Sequence, residues 1–114
     1  MEVHKILGNG FQEKIYQRAL AIEMEHQGLL FSREFEIPIY YKDFSIGSRR
    51  ADFFVDEKVM VEIKVVIQLE DVHLAQAINY LEAYKMEVGL LINFGSKSLQ
   101  FKRVMKLNRL KRTE

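Results

Sequence analysis

The sequence predicts an α/β (α+β) domain in which helices flank one mixed central sheet, the elements running in the order αβββαββ. Three observations carry this. Apolar and polar residues alternate through residues 30–41, 44–55 and 59–65, the period-two pattern of strands with one face inward. Two stretches, residues 11–26 and 69–84, repeat apolar residues every three or four positions, as amphipathic helices do. After the second helix, Val88–Phe94 is a nearly continuous apolar run, expected of a central strand covered on both sides.

Taken in order, Val3, Ile6 and Leu7 form one apolar face of a short helical piece, which Gly8-Asn9-Gly10 breaks. In the helix that follows, Ile15, Ala19 and Ile22 are the expected packing stripe, and Gly28 is the expected terminator. Glu13 and Tyr16 lie three apart on one helix face, with Leu20 next along it. Phe35, Ile37, Ile39 and Tyr41 alternate with Glu34, Glu36, Pro38 and Tyr40 along the first strand, and Pro38 suits an edge position. Lys42-Asp43 begins a turn into the second strand, interrupted near Gly47. A hairpin leads on to Val65. In the second helix Leu74, Ile78 and Leu81 are the packing stripe, with His73, Gln76 and Tyr80 on a neighbouring face. Gly95-Ser96 turns the chain into a last strand over residues 99–104.

The 114 residues read as a single domain, with 48% hydrophobic and 29% charged residues, those of an ordinary soluble globule. No apolar run is long enough to span a membrane, and the first residues lack an apolar signal core. The chain has no cysteine, which excludes disulfides and thiolate zinc sites and fits a cytoplasmic location. Three histidines without metal-site spacing argue against zinc. Net charge is only +1, but Lys102, Arg103, Lys106, Arg109, Lys111 and Arg112 crowd residues 102–114. That basic tail either attracts phosphates or is simply solvated.

The stretch Arg49–Val65, R-R-A-D-F-F-V-D-E-K-V-M-V-E-I-K-V, carries the chemistry. If Asp56, Glu57 and Lys58 form a three-residue loop, Val55 faces Val59 and Asp52 falls opposite Glu62. The two Cβ atoms would then stand roughly 4.5–5.5 Å apart. A two-residue loop would shift the register and part them. Like charges so placed destabilise a sheet and ask for a cation, and Lys64, two residues from Glu62 on the same face, leaves the group one charge short. Each carboxylate is expected to have a raised proton affinity from its neighbour. Two carboxylates and a lysine suit metal-assisted phosphodiester cleavage, since hard oxygen ligands hold Mg²⁺ or Mn²⁺. An ordinary Glu62–Lys64 salt bridge on a surface hairpin fits the same triplet. Arg49 and Arg50 either bind phosphate or pair with nearby carboxylates. His73 is a base or a surface or helix-cap residue, Gln76 and Tyr80 are site residues or helix surface, and Glu13 is a site residue or a solvated one.

Gly10–Tyr16, G-F-Q-E-K-I-Y, matches the G-x-x-E-x-x-Y signature, and E-V-H-K-I-L-G-N-G-F, R-A-D-F, V-E-I-K, H-L-A-Q-A-I-N-Y and L-L-I-N-F accompany it. In these motifs, which cover nearly the whole chain, the sequence resembles the GxxExxY proteins of the PD-(D/E)XK nuclease-like superfamily. The resemblance implies a restriction-endonuclease-like core and a Mg²⁺- or Mn²⁺-dependent nuclease acting on DNA. Asp52 and Glu62 would be metal ligands with the Ile63 carbonyl, and Lys64 would act on the attacking water. Glu13 would fill an acidic position near the metal, while Gln76 and Tyr80 would match a Q-x-x-x-Y element that contacts substrate or supports the site. Arg49, Arg50 and His73 complete the expected substrate contacts. Ala51 stands where the superfamily's name has proline, and family members carry more residues ahead of E-V-H, which implies a shortened first helix. A non-catalytic nucleic-acid- or partner-binding module on the same fold is the alternative, and a small structural protein assembling with a larger partner is a third reading. A homodimer is one arrangement left open, as are endo- or exonuclease action and DNA or RNA preference.

Overall fold

The computed structural model describes residues 2–84 and 86–105. It contains α1 (Glu2–Leu7), α2 (Glu13–His26), β1 (Phe31–Tyr41), β2 (Phe44–Val55), β3 (Val59–Lys64), α3 (Asp71–Tyr84), β4 (Val88–Asn93) and β5 (Gln100–Met105). The strands form one sheet in the order β1-β2-β3-β4-β5. Among the described strands only β3 and β4 run parallel, and α3 is the crossover that such a pair requires. The expected mixed sheet flanked by helices is therefore present, with Pro38 on the edge strand β1. Residues 106–114 of the basic tail lie outside the described residues, while Lys102 and Arg103 are exposed on β5.

Two apolar cores lie on opposite faces of the sheet. On one, α1 and α2 cover Phe53, Val61, Ile63, Ile92 and Phe94. On the other, α3 covers Ile37, Ala51 and Met60 through Ala77 and Leu81. Of the expected α3 stripe, Leu81 is fully buried and Leu74 and Ile78 are half-buried at the core margin. The expected α2 stripe is corrected. Ile15 and Ile22 are exposed, and the helix instead buries Tyr16, Leu20 and Met24 with Gln17 and Ala21. This helix carries two apolar stripes, and Tyr16 decides between them. Its ring stacks on Phe94 at 4.6 Å, and its hydroxyl donates to Gly8 O at 2.7 Å while accepting the Phe11 N–H at 3.1 Å. The tyrosine thereby closes the Gly8–Gly10 turn over the start of α2, and an aliphatic residue lacks the hydroxyl for that. The helix begins at Glu13 rather than Phe11, and Gly28 ends it with φ +72°.

The β1–β2 hairpin departs from simple alternation. Phe53 packs on the α2 face, but Ala51, two residues earlier, packs on the α3 face. In β1, Phe31 likewise packs on the α2 side and Phe35 on the α3 side. Both strands exchange faces at one level: Arg33 pairs with Phe53 and Phe35 with Ala51, leaving Glu34 and Asp52 between them. Glu34 has φ +51°, a left-handed residue inside a strand, and this turns the pleat over. In a regular strand Ala51 and Phe53 would share a face; here they do not, and Asp52 falls at the inversion. If the left-handed backbone is required, Glu34→Gly should keep the fold with stability equal to or above wild type. Glu34→Val should lose about 1–3 kcal/mol in urea unfolding, because a β-branched residue resists that conformation.

Candidate active site

The β2–β3 ladder pairs Val55 with Val59, Phe54 with Met60 and Phe53 with Val61, so the loop has the three residues expected of it. The next level would set Asp52 opposite Glu62, and there the ladder stops. The Ile63 N–H donates to Asp52 Oδ2 at 2.6 Å instead of to a strand carbonyl. The N–H and C=O of one strand residue point to the same neighbour, so the Ile63 carbonyl also faces this gap. Gln17 Nε2, from α2, donates to Asp52 Oδ1 at 3.1 Å. The pleat inversion thus leaves Asp52 within reach of both the helix on one face and the β3 backbone.

Glu62 is 3% exposed. Its Oε2 lies 3.6 Å from Arg49 Nη2, and the Arg49 guanidinium sits 4.4 Å over the Tyr80 ring of α3. Arg49 therefore supplies the positive charge that Lys64 alone leaves missing. Burial, followed by the charge of Asp52, pushes the Glu62 carboxyl from the usual 4.5 up to about 8, against the opposing pull of Arg49 and Lys64. The two carboxyl groups are close enough to share a hydrogen bond when Glu62 holds its proton. Without that proton Glu62 Oε1 is buried with no donor, and Gln17 Oε1 and Arg49 Nε are likewise buried without partners. These three atoms belong to side chains that touch or form the Asp52–Glu62 pair, as expected beside a binding site.

Glu13 stands at the first turn of α2 and shares a cleft of about 300 Å³ with Gln17 and Asp52. Burial and then the Asp52 charge raise its proton affinity, while Lys64 and Arg49 oppose this, so all four charges act on one region. Lys64 is held in place from behind. Its strand pairs it with Asn93, and its carbonyl accepts the Phe94 N–H at 2.9 Å. Asn93, fully buried, fixes the chain just beyond by accepting from Val66 N at 3.0 Å and donating to Val66 O at 2.9 Å.

Other expected residues sit further out. Gln76 is exposed one turn before Tyr80, and no hydrogen bond ties it to the pair among the described residues. His73 Nδ1 accepts the Glu70 N–H at 2.9 Å, which makes it a cap of α3. Arg50 lies 3.4 Å from Glu34, which also accepts from Lys14 Nζ and so has its carboxyl held below the usual range by that lysine. Gln17, Lys14 and Glu34 are not among the residues that the sequence patterns single out. Gln17 carries a usable signal, since it follows Glu13 by four and must share its helix face.

A divalent cation fits the donor set. The pair offers hard carboxylate oxygens, one of them buried and unsatisfied, beside a strand carbonyl. Among the described residues no group of three or more His, Cys, Asp or Glu side chains is placed to hold a metal ion, so any such ion would rest on the Asp52–Glu62 pair and the Ile63 carbonyl.

The model of the PD-(D/E)XK nuclease superfamily matches residues 1–104, and the chain belongs to that superfamily. No curated protein matches it. Among solved structures, the crystal structure of SSO0001 is similar with a TM-score of 0.64 and 17% identity, over 86% of this chain and 52% of that one. An alkaline exonuclease, LHK-Exo from Laribacter hongkongensis, is similar with a TM-score of 0.61 and 9% identity, over 88% and 59%. The chain thus spans between half and two thirds of these neighbours, and at such identities the likeness shows the fold.

The raised Glu62 carboxyl makes stability pH-dependent. Between 4.5 and about 8 the folded state holds a proton that the unfolded chain has released. Its contribution is full below 4.5 and falls as pH rises to about 8, by up to several kcal/mol. Urea unfolding of metal-free protein across this range should show the decline in wild type, and Glu62→Gln should flatten it. Parallel curves for the two proteins would contradict the assignment.

Proposed function

We propose that the chain is a Mg²⁺- or Mn²⁺-dependent nuclease that hydrolyses phosphodiester bonds in DNA, of the GxxExxY type its motifs resemble. The observation that carries this is the buried Glu62 carboxylate with an unsatisfied oxygen beside Asp52. Asp52, Glu62 and the Ile63 carbonyl would hold the cation. When bound, such an ion supplies Lewis acidity toward water and the phosphate oxygens. The chain's own groups do the rest. Gln17 and the Ile63 N–H fix the Asp52 carboxylate, leaving its remaining lone pairs toward the gap. The Lys64 ammonium orients the attacking water and stabilises negative charge as it develops on the phosphate. Glu13, at the cleft edge with a raised proton affinity, receives or relays the proton that water releases. Arg49, resting on Tyr80, is placed to exchange Glu62 for a substrate phosphate, with Gln76 and His73 further along α3 as outer substrate contacts.

One observation favours a second reading. Arg49 already gives Glu62 a counter-charge, so the pair persists without a metal, as a non-catalytic nucleic-acid-binding module would allow. A cleavage assay on DNA and RNA with Mg²⁺, Mn²⁺ or chelator separates the two. Wild type should cleave DNA only with metal, and Glu62→Ala should lose activity by at least about 100-fold, in line with removal of a group that stabilises the transition state. Binding without cleavage under every metal condition would favour the module.

Metal binding and folding can be separated with amides. Glu62→Gln relieves the like-charge repulsion, so this variant should melt, without metal, at or above the wild-type temperature, whereas Asp52→Asn turns one of the two oxygens that accept from Gln17 and the Ile63 N–H into a donor and should melt lower. Added Mg²⁺ should raise the wild-type melting temperature by mass action and shift the amides little. Equal shifts in all three would place the metal elsewhere.

A further inference from the structure

We propose that Lys14 and Arg50 form a phosphate-binding subsite beside Asp52, which the Glu34 carboxylate fills while no nucleic acid is bound. The proposal rests on the nuclease reading above and extends it to how the substrate strand is held. Lys14 lies on α2 and Arg50 on β2, and Glu34 bridges the two. One Glu34 oxygen accepts from Lys14 Nζ, and the other lies 3.4 Å from Arg50 Nη1. Together with Glu13, Gln17 and Asp52 these groups line a cleft of about 300 Å³, to which Asp52 is the candidate metal ligand that contributes. An anion bridging two cations in a cleft next to a phosphodiester-cleaving centre occupies the position suited to a backbone phosphate flanking the scissile one.

Stability does not account for a glutamate at this position. Its backbone is left-handed, where glycine or asparagine would fit with less strain. Exposed ion pairs return little, and both of these are substantially exposed, with side chains 36–65% accessible. A carboxylate there does have one definite effect. It shields two cations from each other's repulsion and holds them in place, and it can retreat into solvent when a phosphate takes over both contacts. The same carboxylate opposes a polyanion, so it weakens binding and speeds release.

The test is binding of a fluorescently labelled DNA oligonucleotide, with RNA of the same sequence in parallel, in Ca²⁺ with intact strands verified on a gel. Glu34→Gln should bind about three- to tenfold tighter than wild type, as expected when one opposing charge is removed. Lys14→Gln/Arg50→Gln should bind more weakly, and the slope of log K against log salt should fall by about two, one for each lost phosphate contact. Glu34→Gly, which suits the backbone, repeats the first arm should the glutamine variant prove less stable. If wild type binds and removing Glu34 leaves affinity unchanged or lower, the subsite is wrong and the nuclease reading stands. The subsite is equally wrong if the double variant keeps the wild-type salt slope. Wild type binding neither DNA nor RNA would overturn both.

Discussion

Two carboxylates held within reach of a shared proton repel each other, and most of the architecture around Asp52 and Glu62 answers that repulsion. Each acid receives different help. Asp52 is held by a main-chain N–H and a side-chain amide, neutral donors that fix its position without cancelling its charge. Glu62 is buried against a guanidinium that is itself held by an aromatic ring. Hydrogen bonds to Asp52 and burial of Glu62 against its ion pair make the two chemically equal groups unequal. The unsatisfied oxygen that remains on Glu62 is then the natural point for a positive ligand.

The pleat inversion makes this division possible. A regular strand would commit Asp52 to one face of the sheet, with access to either α2 or α3. At the inversion the residue meets α2 through Gln17 and the β3 backbone through Ile63 at once. The consecutive arginines just before it then leave the hairpin on opposite sides. Arg49 goes to Glu62 and Tyr80, and Arg50 goes to Glu34. One left-handed residue on an edge strand thus distributes three charged side chains of its neighbour.

Much of this is legible in the sequence, and the parts that are not share a cause. The three-residue loop, the register of β2 on β3 as far as Phe53 and Val61, and the covered strand β4 follow from alternation, a local property that burial on one face enforces. Pro38 marks the edge because it cannot donate to a ladder. The packing face of α2 differs from the expected one because Ile15 and Ile22 are more apolar than Tyr16, while a stacking partner 78 residues away at Phe94 settles the choice. Glu34 gives no sign of its conformation, since only glycine and asparagine advertise a left-handed backbone. Gln17 and Asn93 are buried amides whose value lies in what they touch across the fold, and composition does not distinguish them from surface amides.

The parallel pairing of β3 with β4 has a consequence for the order of events in biosynthesis. Lys64 lies on a short strand whose far edge is completed by residues 88–93, with Phe94 closing the last bond to the Lys64 carbonyl. Contacts of that sequence separation form late, after the loop-closure entropy of an intervening helix has been overcome. As the chain emerges from a ribosome, Asp52, Glu62 and Lys64 are all exposed well before the strand that aligns them has been made. The charged residues therefore exist for a time as a solvated hairpin, and they reach the arrangement seen in the folded chain only once residues 88–94 are present.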